Sequence, residues 1–197
     1  MKNYEVKILK QGYSRRVGPA QQRADGTITL IRGPKNIIVD TGGPQDRQYI
    51  LDALGAEGLS TKDIIYVICT HGHSDHTGNN NLFPDATFIV SHDICKGDLY
   101  TFHDFKSGKN FMINDDVVVM STPGHTGQDI SVLVRTKEGA VAIVGDLFEC
   151  EQDLEDEELW RASSELPVEQ EKSRGRVLAA ADIIVPGHGD RFQVKKP

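Results

Sequence analysis

Short runs rich in valine and isoleucine recur along most of the chain, separated by a few polar residues, glycine or proline. Such runs are typical of β-strands, and their number limits the fold to one built around sheets. The predicted strands cover residues 4–10, 27–32, 36–40, 64–69, 87–90, 116–121, 131–136, 140–145 and 182–185. The sequence IRGPKN, between the second and third runs, predicts a hairpin turn.

Helical patterns are fewer than strand patterns. Residues 45–56 place Ile50, Leu51 and Leu54 on one helical face. Many strands combined with few helices predict an α/β sandwich.

A second helix is predicted over residues 167–181. Pro167 suits its first turn, where the missing N–H costs nothing. We expect Val168, Val177 and Leu178 to form its buried side.

Length and composition indicate an ordinary globular chain. The 197 residues fit one domain over residues 1–197, and an apolar fraction of 38% is sufficient for a core. No apolar run reaches the about 18 residues of a membrane-spanning helix, and no signal-peptide pattern opens the sequence. Three cysteines, an odd number, favour a reducing compartment, so we expect a cytoplasmic protein that also enters the nucleus.

The charge balance is acidic. The chain has 29 acidic and 22 basic residues, a formal net charge of -7, which argues against broad nonspecific binding to nucleic acid but not against a local basic patch. Ordinary solvated charges are the simpler interpretation of the basic side chains that would otherwise form a phosphate-binding rim. These are Lys106, Lys109, Arg161, Lys172, Arg174, Arg176, Arg191, Lys195 and Lys196. The acidic segment 149–164 predicts a loop and an exposed short helix near the rim of a site.

The segment VICTHGHSDHTGNN crowds ligand-type side chains directly after the predicted strand 64–69. Four of them lie within six residues: His71, His73, Asp75 and His76. The loops after strands are where rigid scaffolds display functional groups. A polar loop that starts a helix is the plain alternative, but capping needs only one side-chain oxygen, and Ser74 or Asp75 alone would supply it.

Three distant segments repeat one pattern, in which an apolar strand is followed by glycine or proline and then by one ligand-type residue. The segments STPGHTGQD, AIVGDLFE and IIVPGHGD carry His125, Asp146 and His188. A single loop histidine is more often a surface hydrogen-bonding group than a ligand. Together with the dense cluster, the three positions predict a metal site.

The residue types indicate which metals and which chemistry such a site would support. Five imidazoles and two carboxylates provide nitrogen and oxygen donors, which suit zinc first, and iron or manganese as alternatives, rather than calcium. Two divalent ions about 3.5–4 Å apart can share one hydroxide and activate it as a nucleophile near neutral pH. We therefore expect two divalent metal ions per chain and a hydrolytic reaction.

The motif set THGHSDHTGN, PGHTGQD, VGD and PGHG resembles that of the metallo-β-lactamase superfamily. The resemblance extends from IIVDTG at residues 37–42 to PGHGD at residues 186–190. It implies an α/β fold of the αβ/βα four-layer sandwich type, with the site at one edge between two sheets.

The resemblance also implies a role for each candidate residue. His71, His73 and His125 would hold the first metal, Asp75, His76 and His188 the second, and Asp146 would bridge both. Asp40, in IIVDTG, would orient a ligand histidine. Asp75 would also orient the hydroxide or receive its proton, so Asp40 and Asp75 are the candidate catalytic residues.

The sequence departs from a true β-lactamase at two of these positions. Such enzymes commonly carry a cysteine in the region of Asp146 and lack a counterpart of His76. The aspartate and histidine set resembles that of the thioester hydrolases and nucleases of the superfamily. Antibiotic hydrolysis is therefore not the expected main activity.

The motif region and the tail EKSRGRVLAAADIIVPGHGDRF resemble an animal branch of the superfamily. That resemblance implies an intracellular endoribonuclease that hydrolyses RNA phosphodiesters at histone pre-mRNA 3′ ends. A thioester or lactone hydrolase of the glyoxalase II kind is the alternative with the same site. A non-hydrolytic di-iron protein is a third interpretation, weakened because no flavin domain is appended.

Two further histidines lie near the predicted strands. His92 follows strand 87–90, where it would either contact substrate or make a structural hydrogen bond. His103 lies in the aromatic segment YTFHDF, residues 100–105, which predicts a packed loop or a contact in a homodimer.

Overall fold

The computed structural model describes residues 4–196, which form two large sheets with helices on their outer faces. The first sheet has seven strands, the second has six that lie side by side in chain order, and a separate pair of strands forms a hairpin. The strands of the first sheet and of the hairpin are β1 Glu5–Lys10, β2 Tyr13–Gly18, β3 Gln21–Asp25, β4 Ile28–Arg32, β5 Asn36–Val39, β6 Ile64–Cys69, β7 Thr87–Val90, β8 Asp93–Lys96 and β9 Leu99–Thr101. The order within the first sheet is β1-β4-β5-β6-β7-β8-β9, and β2 and β3 form the hairpin.

The second sheet comes from the C-terminal half of the chain. Its strands are β10 Phe111–Met112, β11 Val117–Ser121, β12 Ile130–Thr136, β13 Gly139–Gly145, β14 Ile183–Pro186 and β15 Phe192–Gln193. The α-helices are α1 Arg47–Ala56, α2 Ser74–Thr77, α3 Glu158–Arg161 and α4 Pro167–Ala180. Short 3₁₀ turns cover Pro44–Asp46, Thr61–Asp63, Asn80–Leu82, Phe105–Ser107 and Glu151–Leu154.

The layers follow from the two-residue side-chain period of the strands. In β5, Ile37 and Val39 face the second sheet, within a buried cluster that includes Val132 of β12, whereas Ile38 faces α1. A third cluster joins the outer face of the second sheet to α4. The resulting order of helix, sheet, sheet and helix is the predicted αβ/βα four-layer sandwich, and the prediction of fold class is confirmed.

The parallel strands determine where the site can form. β5, β6 and β7 run parallel in the first sheet, and β13 and β14 run parallel in the second. The carboxyl ends of parallel strands meet at one edge of a sheet, and ligands commonly bind there in open α/β sheets. The loops that carry His71, Asp146 and His188 leave from these ends. The loop of His125 leaves the end of β11, which runs in the same direction as β13 because both are antiparallel to β12.

The apolar strands were predicted to within about two residues, but several polar strands were not. The hairpin strands β2 and β3, the short pair β8 and β9, and the two-residue strands β10 and β15 lack the valine and isoleucine runs on which the prediction depended. Most side chains of β2, β3 and β9 are exposed. Each of these strands has only one neighbouring strand, and little of the rest of the molecule packs over it. Their sequences therefore carry little hydrophobic pattern.

The helix α4 has the predicted position but a different buried side. Val177 is buried as predicted, whereas Val168 is 65% exposed, so the prediction for Val168 was wrong. The buried residues of α4 are Gln170, Ser173, Arg174 and Val177, a helical stripe that is mostly polar. A search for apolar periodicity does not find such a stripe.

The acidic segment 149–164 contains a 3₁₀ turn and the short helix α3. The helix is exposed as predicted except for Trp160, which is only 2% exposed and lies against Arg174. Within the part of the chain that the structure describes, no helix is long and apolar enough to cross a membrane.

Candidate metal centre

Loops from both sheets bring the seven predicted ligands to one edge of the molecule. His71 follows β6 and Asp146 follows β13, while the loops after β11 and β14 carry His125 and His188. His73 lies just before α2, whose single turn carries Asp75 and His76. These seven residues are the set that the sequence predicted, and their side chains lie together.

Four of these side chains form the first group of donor atoms. His73 Nδ1 lies 2.9 Å from His71 Nε2 and 3.1 Å from His125 Nε2. Asp146 Oδ2 lies 3.7 Å from His71 Nε2 and 3.4 Å from His125 Nε2. The four donor atoms all lie within 4.8 Å of one another, as atoms that share one ion would.

Three other side chains form the second group. Asp75 Oδ2 lies 4.0 Å from His76 Nε2 and 3.8 Å from His188 Nε2. Asp146 joins this group to the first, because its Oδ1 is 3.2 Å from His76 Nε2 and its Oδ2 is 3.2 Å from His188 Nε2. The carboxylate of Asp146 therefore lies between the two groups, where a bridging ligand would lie.

Hydrogen bonds on the outer side of three rings determine which nitrogen faces the centre. His76 Nδ1 lies 2.8 Å from Asp40 Oδ2, and His188 Nδ1 lies 3.1 Å from the Asp25 carbonyl oxygen. His71 Nδ1 lies 3.2 Å from Thr70 Oγ1, a hydroxyl that itself donates to Asp40. Each Nδ1–H donates outward, which leaves the Nε2 lone pair directed at the centre, as metal ligation requires.

Unpartnered buried atoms test whether this set fits a cation. His76 Nε2 and Asp146 Oδ1 are 3.2 Å apart but are not aligned for a hydrogen bond, and neither atom has a hydrogen-bond partner among residues 4–196. Buried polar atoms without partners are costly, so their convergence needs a compensating charge. Imidazole nitrogens and carboxylate oxygens are the donors that zinc, iron and manganese accept, and the residues therefore fit divalent cations.

Two of the histidines are held neutral by their surroundings. Burial lowers the pKa of His71 well below its ordinary value, and the neighbouring His76 lowers it further. Burial also lowers the pKa of His125. Neutral imidazole is the form that binds metal, so these two rings are ready to ligate.

The other buried charges compensate one another in the absence of metal. Burial alone would lower the pKa of His76, but the Asp146 and Asp40 carboxylates outweigh it and raise that pKa well above its ordinary value. Burial also lowers the pKa of His188, but the charge and the hydrogen bond of the Asp146 carboxylate outweigh burial and raise that pKa to about 9. Burial would raise the pKa of Asp146, yet the facing imidazoles of His76, His71 and His188 hold it well below its ordinary value.

Asp40 has the orienting position that the sequence predicted. Its backbone has φ 57°, in the left-handed region that costs energy for a residue with a side chain. In that conformation its carboxylate accepts hydrogen bonds from the Thr70 backbone N–H at 2.7 Å and from His76 Nδ1 at 2.8 Å. The bent backbone thus directs one carboxylate at two points of the ligand-bearing segment that follows β6.

The polar stripe of α4 holds the loops of His125 and Asp146. Ser173 Oγ donates to the Pro123 carbonyl at 2.9 Å, and Gln170 Nε2 donates to the Asp146 carbonyl at 3.1 Å. Arg174 Nη1 donates to the Leu147 carbonyl at 2.9 Å. Sequence reasoning missed these supporting residues. The buried residues from Gln170 to Val177 are separated by three, one and three positions, which is the spacing of one buried side of a helix.

Glu149 is a second residue that sequence reasoning did not single out. Its Oε2 lies 3.9 Å from His188 Nε2, and its Oε1 accepts a hydrogen bond from Ser163 Oγ at 3.1 Å. Burial and then the nearby Asp146 carboxylate raise the pKa of Glu149 to about 7. Together with Asp146 and His188, it forms a third group of donor atoms within 4.8 Å.

His92 lies outside these groups of donor atoms. Its ring stacks on Phe105 with centroids 5.1 Å apart, and its Nε2 lies 3.1 Å from Ser121 Oγ. This is the geometry of a structural hydrogen bond, and a contact between His92 and substrate stays a prediction. His103 likewise packs on Phe105 and Phe111.

Comparisons with known proteins support this description of the fold. Residues 23–188 match the model of the metallo-beta-lactamase superfamily. Metallo-beta-lactamase domain-containing protein 1 of Xenopus laevis is 46% identical over 98% of this chain and 83% of its own length. The human protein of that name is 42% identical over 97% of this chain and 82% of its own length.

Two solved structures have a similar fold at lower identity. A mutant of B. thuringiensis AiiA with N-decanoyl-L-homoserine bound at its active site superposes with a TM-score of 0.71 at 19% identity, covering 95% of this chain and 93% of its own. A quorum-quenching N-acyl homoserine lactone lactonase superposes with a TM-score of 0.70 at 20% identity, covering 95% and 92%. At this low sequence identity, the similarity to the two structures concerns the fold alone.

Proposed function

This chain belongs to the metallo-beta-lactamase superfamily, and from that membership we propose that it is a dinuclear metal-dependent hydrolase. The observation that carries the proposal is the pair of donor groups that share the Asp146 carboxylate. The first ion would be held by His71, His73, His125 and Asp146, and the second by Asp75, His76, His188 and Asp146. Zinc is the metal we propose, because the donors are imidazole and carboxylate.

When bound, the two cations supply a water of lowered pKa as nucleophile and an electrophilic contact for the substrate oxygen. The protein's own residues orient and shield the reaction. Asp40 and Thr70 keep the outer nitrogens of His76 and His71 protonated, which directs the Nε2 atoms inward. Asp75 is half-buried at the mouth of the centre, with Oδ2 3.8 Å from His188 Nε2, so it is placed to accept the proton that the nucleophile loses.

The substrate we propose is RNA, hydrolysed at its phosphodiester bonds by endonucleolytic cleavage of the kind that forms histone pre-mRNA 3′ ends. Support comes from the resemblance of the motif region to an intracellular endoribonuclease branch. His73 is exposed and Asp75 is half-buried, so the centre opens to the surface rather than into a closed cavity. An open centre accommodates a polymer.

A lactone or thioester hydrolase is the second candidate, and Glu149 favours it. Its carboxylate lies 3.9 Å from His188 Nε2, where a negative charge would repel an anionic phosphodiester more than a neutral ester. One neighbour in fold is an N-acyl homoserine lactone lactonase, and another holds N-decanoyl-L-homoserine at its active site.

Metal analysis tests the dinuclear centre. We expect about two ions per chain in the parent protein and nearly none in the His71→Ala plus Asp146→Ala variant. His103→Ala is the matched control, since His103 contacts Phe105 and lies away from the centre. Equal metal content in all three proteins would contradict the proposal.

A substrate panel separates the two candidates. The metal-loaded protein is given single-stranded RNA, an S-acyl glutathione and an N-acyl homoserine lactone under the same conditions. We expect cleavage of the RNA, abolished by chelation. Fast turnover of the thioester or lactone with intact RNA would replace the first candidate by the second.

We also propose that two copies of the chain associate as a homodimer through the outer edge of the first sheet. β9 is the last strand of that sheet, and the side chains of Leu99, Tyr100 and Phe102 around it are exposed. Light scattering after size exclusion is expected to give a dimer for the parent and a monomer for Phe102→Glu. A monomeric parent protein would rule the dimer out.

A further inference from the structure

The β2–β3 hairpin carries three arginines whose side chains have no hydrogen-bond or ion-pair partner among the described residues. Arg15, Arg16 and Arg23 are exposed, and none makes a side-chain hydrogen bond or an ion pair within residues 4–196. The chain has 29 acidic residues, so carboxylates are not scarce. The hairpin is therefore a local basic surface on an acidic protein.

The register of the hairpin places two of these charges side by side. Arg15 is directly opposite Arg23, so both side chains lie on the same face, about 5 Å apart at the backbone. Tyr13 shares this face, and the Arg15 guanidinium lies 5.9 Å from the centre of its ring. Like charges directly opposite one another destabilise a strand pair. A bound anion between the two guanidiniums would remove that repulsion.

Five of the nine basic residues that the sequence suggested for a phosphate-binding rim already pair with carboxylates. Arg174 is buried against Asp153, and Arg161 pairs with Glu157 and Glu171. Further ion pairs join Lys172 to Glu169, Arg191 to Glu138 and Lys196 to Asp182. These five side chains are thus less suited to an anion than the hairpin arginines, which the sequence analysis did not select.

The base of the hairpin is attached to the candidate metal centre. The carbonyl oxygen of Asp25, the last residue of β3, accepts the hydrogen bond from His188 Nδ1, and the next N–H, that of Gly26, donates to the Asp75 carbonyl at 3.2 Å. A side chain at Gly26 would meet that Asp75 carbonyl oxygen at 2.5 Å. Arg23 is two residues before Asp25, hence about 7 Å along the strand from the residue that holds His188.

A second set of contacts holds the base of the hairpin. The Asp25 carboxylate is buried, accepts hydrogen bonds from the Gly43 N–H at 3.0 Å and Gln45 Nε2 at 2.9 Å, and pairs with Lys10. The arginine-bearing part beyond this anchor is solvent-exposed on both strands. The base of the hairpin thus contacts the segments of the metal centre, whereas its tip is exposed to solvent.

We propose that the β2–β3 hairpin is a nucleic-acid-binding arm that grips the backbone of single-stranded RNA beside the metal centre. Guanidinium groups match phosphate oxygens in a two-pronged geometry, and an adjacent aromatic ring provides a surface on which a base stacks. Arg15 and Arg23 bind phosphate, and Tyr13 stacks on a base. This inference rests on the proposed ribonuclease function, because it names how that substrate is held.

The test compares two variants with the same change in charge. Arg15→Gln plus Arg23→Gln removes the facing pair, and Lys62→Gln plus Lys137→Gln removes two exposed lysines elsewhere that have no ion pair among the described residues. Circular dichroism and metal content confirm that each variant is folded and loaded. The probe is a fluorescein-labelled single-stranded RNA of about 12 nucleotides with phosphorothioate linkages to slow cleavage, and anisotropy is measured from 50 to 200 mM salt.

We expect the arginine variant to bind at least tenfold more weakly at low salt. The slope of log affinity against log salt should become shallower by about 1.4, since each phosphate contact to a single strand contributes about 0.7. The lysine variant should keep the parent slope. Tyr13→Ala should weaken binding of the single strand by about fivefold or more and leave a duplex of the same length unaffected.

Three results would contradict an RNA-binding role of the hairpin. They are no binding of RNA by the parent protein, equal losses of RNA affinity in the two double variants, and an affinity for polyglutamate of matched charge equal to that for RNA. Failure of the proposed function is a different result, in which RNA is bound through Arg15 and Arg23 but remains intact with the unmodified probe.

Discussion

Asp40 illustrates how one side chain outside the ligand set controls a ligand. It has a left-handed backbone, and its carboxylate accepts hydrogen bonds from His76 Nδ1 and from the Thr70 N–H. An asparagine in its place has one acceptor oxygen instead of two, so either the imidazole or the backbone N–H loses its partner. The ring of His76 would then no longer be held with Nε2 inward.

For Asp40→Asn we therefore predict a loss of about 10–100-fold in affinity for one of the two ions, with the other retained. Competition against a chromophoric chelator measures the two affinities. Asp98→Asn, at an exposed turn, is the matched control. Unchanged affinity for both ions would show that Asp40 does not position a ligand.

A second prediction at the residue scale concerns pH and the metal-free protein. The pKa of His188 is raised to about 9 from an ordinary 6.5, so the stability that its protonation contributes is complete below pH 6.5 and is lost as the pH rises through 9. The pKa of Glu149, raised to about 7, acts in the same direction between about pH 4.5 and 7. The lowered pKa values of His71 and His125 act in the opposite direction, but only up to about pH 6.5. We predict that the melting temperature in EDTA falls between pH 7 and pH 9.

Metal should reverse this trend, because protons and cations compete for the same imidazoles. The melting temperature of the zinc-loaded protein is expected to rise over the same interval. Calorimetry at matched ionic strength measures both series. Parallel curves for the two forms would mean that the imidazoles do not bind the metal.

At the scale of elements, α4 connects the acidic segment to the ligand loops. Arg174 is only 7% exposed, donates to the carbonyls of Leu147 and Asp153, pairs with the Asp153 carboxylate at 3.2 Å and stacks on Trp160. Its partner Asp153 is also buried and accepts hydrogen bonds from the N–H groups of Glu149 and Cys150. One buried ion pair therefore orders the loop between Asp146 and α3.

Removal of this arginine should leave a buried carboxylate without its partner. We predict that Arg174→Met lowers the free energy of unfolding by about 3–5 kcal/mol, as removal of one partner from a buried pair does. Arg161→Met is the matched control, because Arg161 also stacks on Trp160 but pairs with exposed carboxylates, a contact that contributes little to stability. Urea denaturation of the metal-free proteins compares them, and equal losses would contradict the special role of Arg174.

For the whole molecule, the metal centre acts as a link between the two sheets. His71 and the residues of α2 belong to the first half of the chain, whereas His125, Asp146 and His188 belong to the second. Away from this edge, the sheets are joined mainly by the apolar cluster between them. Ions bound by donors from both halves stabilise only the folded state, because the unfolded chain does not bring the donors together.

Chelation should therefore lower the melting temperature of the whole molecule in a single transition. At a free metal concentration 100 to 1,000 times the dissociation constant, bound metal adds about 3–4 kcal/mol, which for a chain of this size is a shift of roughly ten degrees. The His71→Ala plus Asp146→Ala variant should show no shift with EDTA. A parent protein that melts at the same temperature with and without chelator would exclude a metal that joins the sheets.

The sequence by itself determined the apolar strands, the helices α1 and α4, the superfamily and the set of ligand-type residues. Each of these leaves a local signal: alternating valine and isoleucine, helical periodicity, or a glycine next to histidine or aspartate. The dense motif of residues 71–76 could be found because its members are neighbours in the chain. Its three distant partners could be found because each follows a strand.

Only the tertiary structure decided which groups support and surround those residues. The carbonyl of Asp25 faces His188 across 163 positions of the chain, and Gln170 reaches the Asp146 carbonyl across 24. The arginines of the β2–β3 hairpin lie beside the centre for the same reason. Contacts of this kind involve backbone atoms and polar side chains, which show no hydrophobic periodicity in the sequence. They can be recognised only after the sheets have brought the distant segments together.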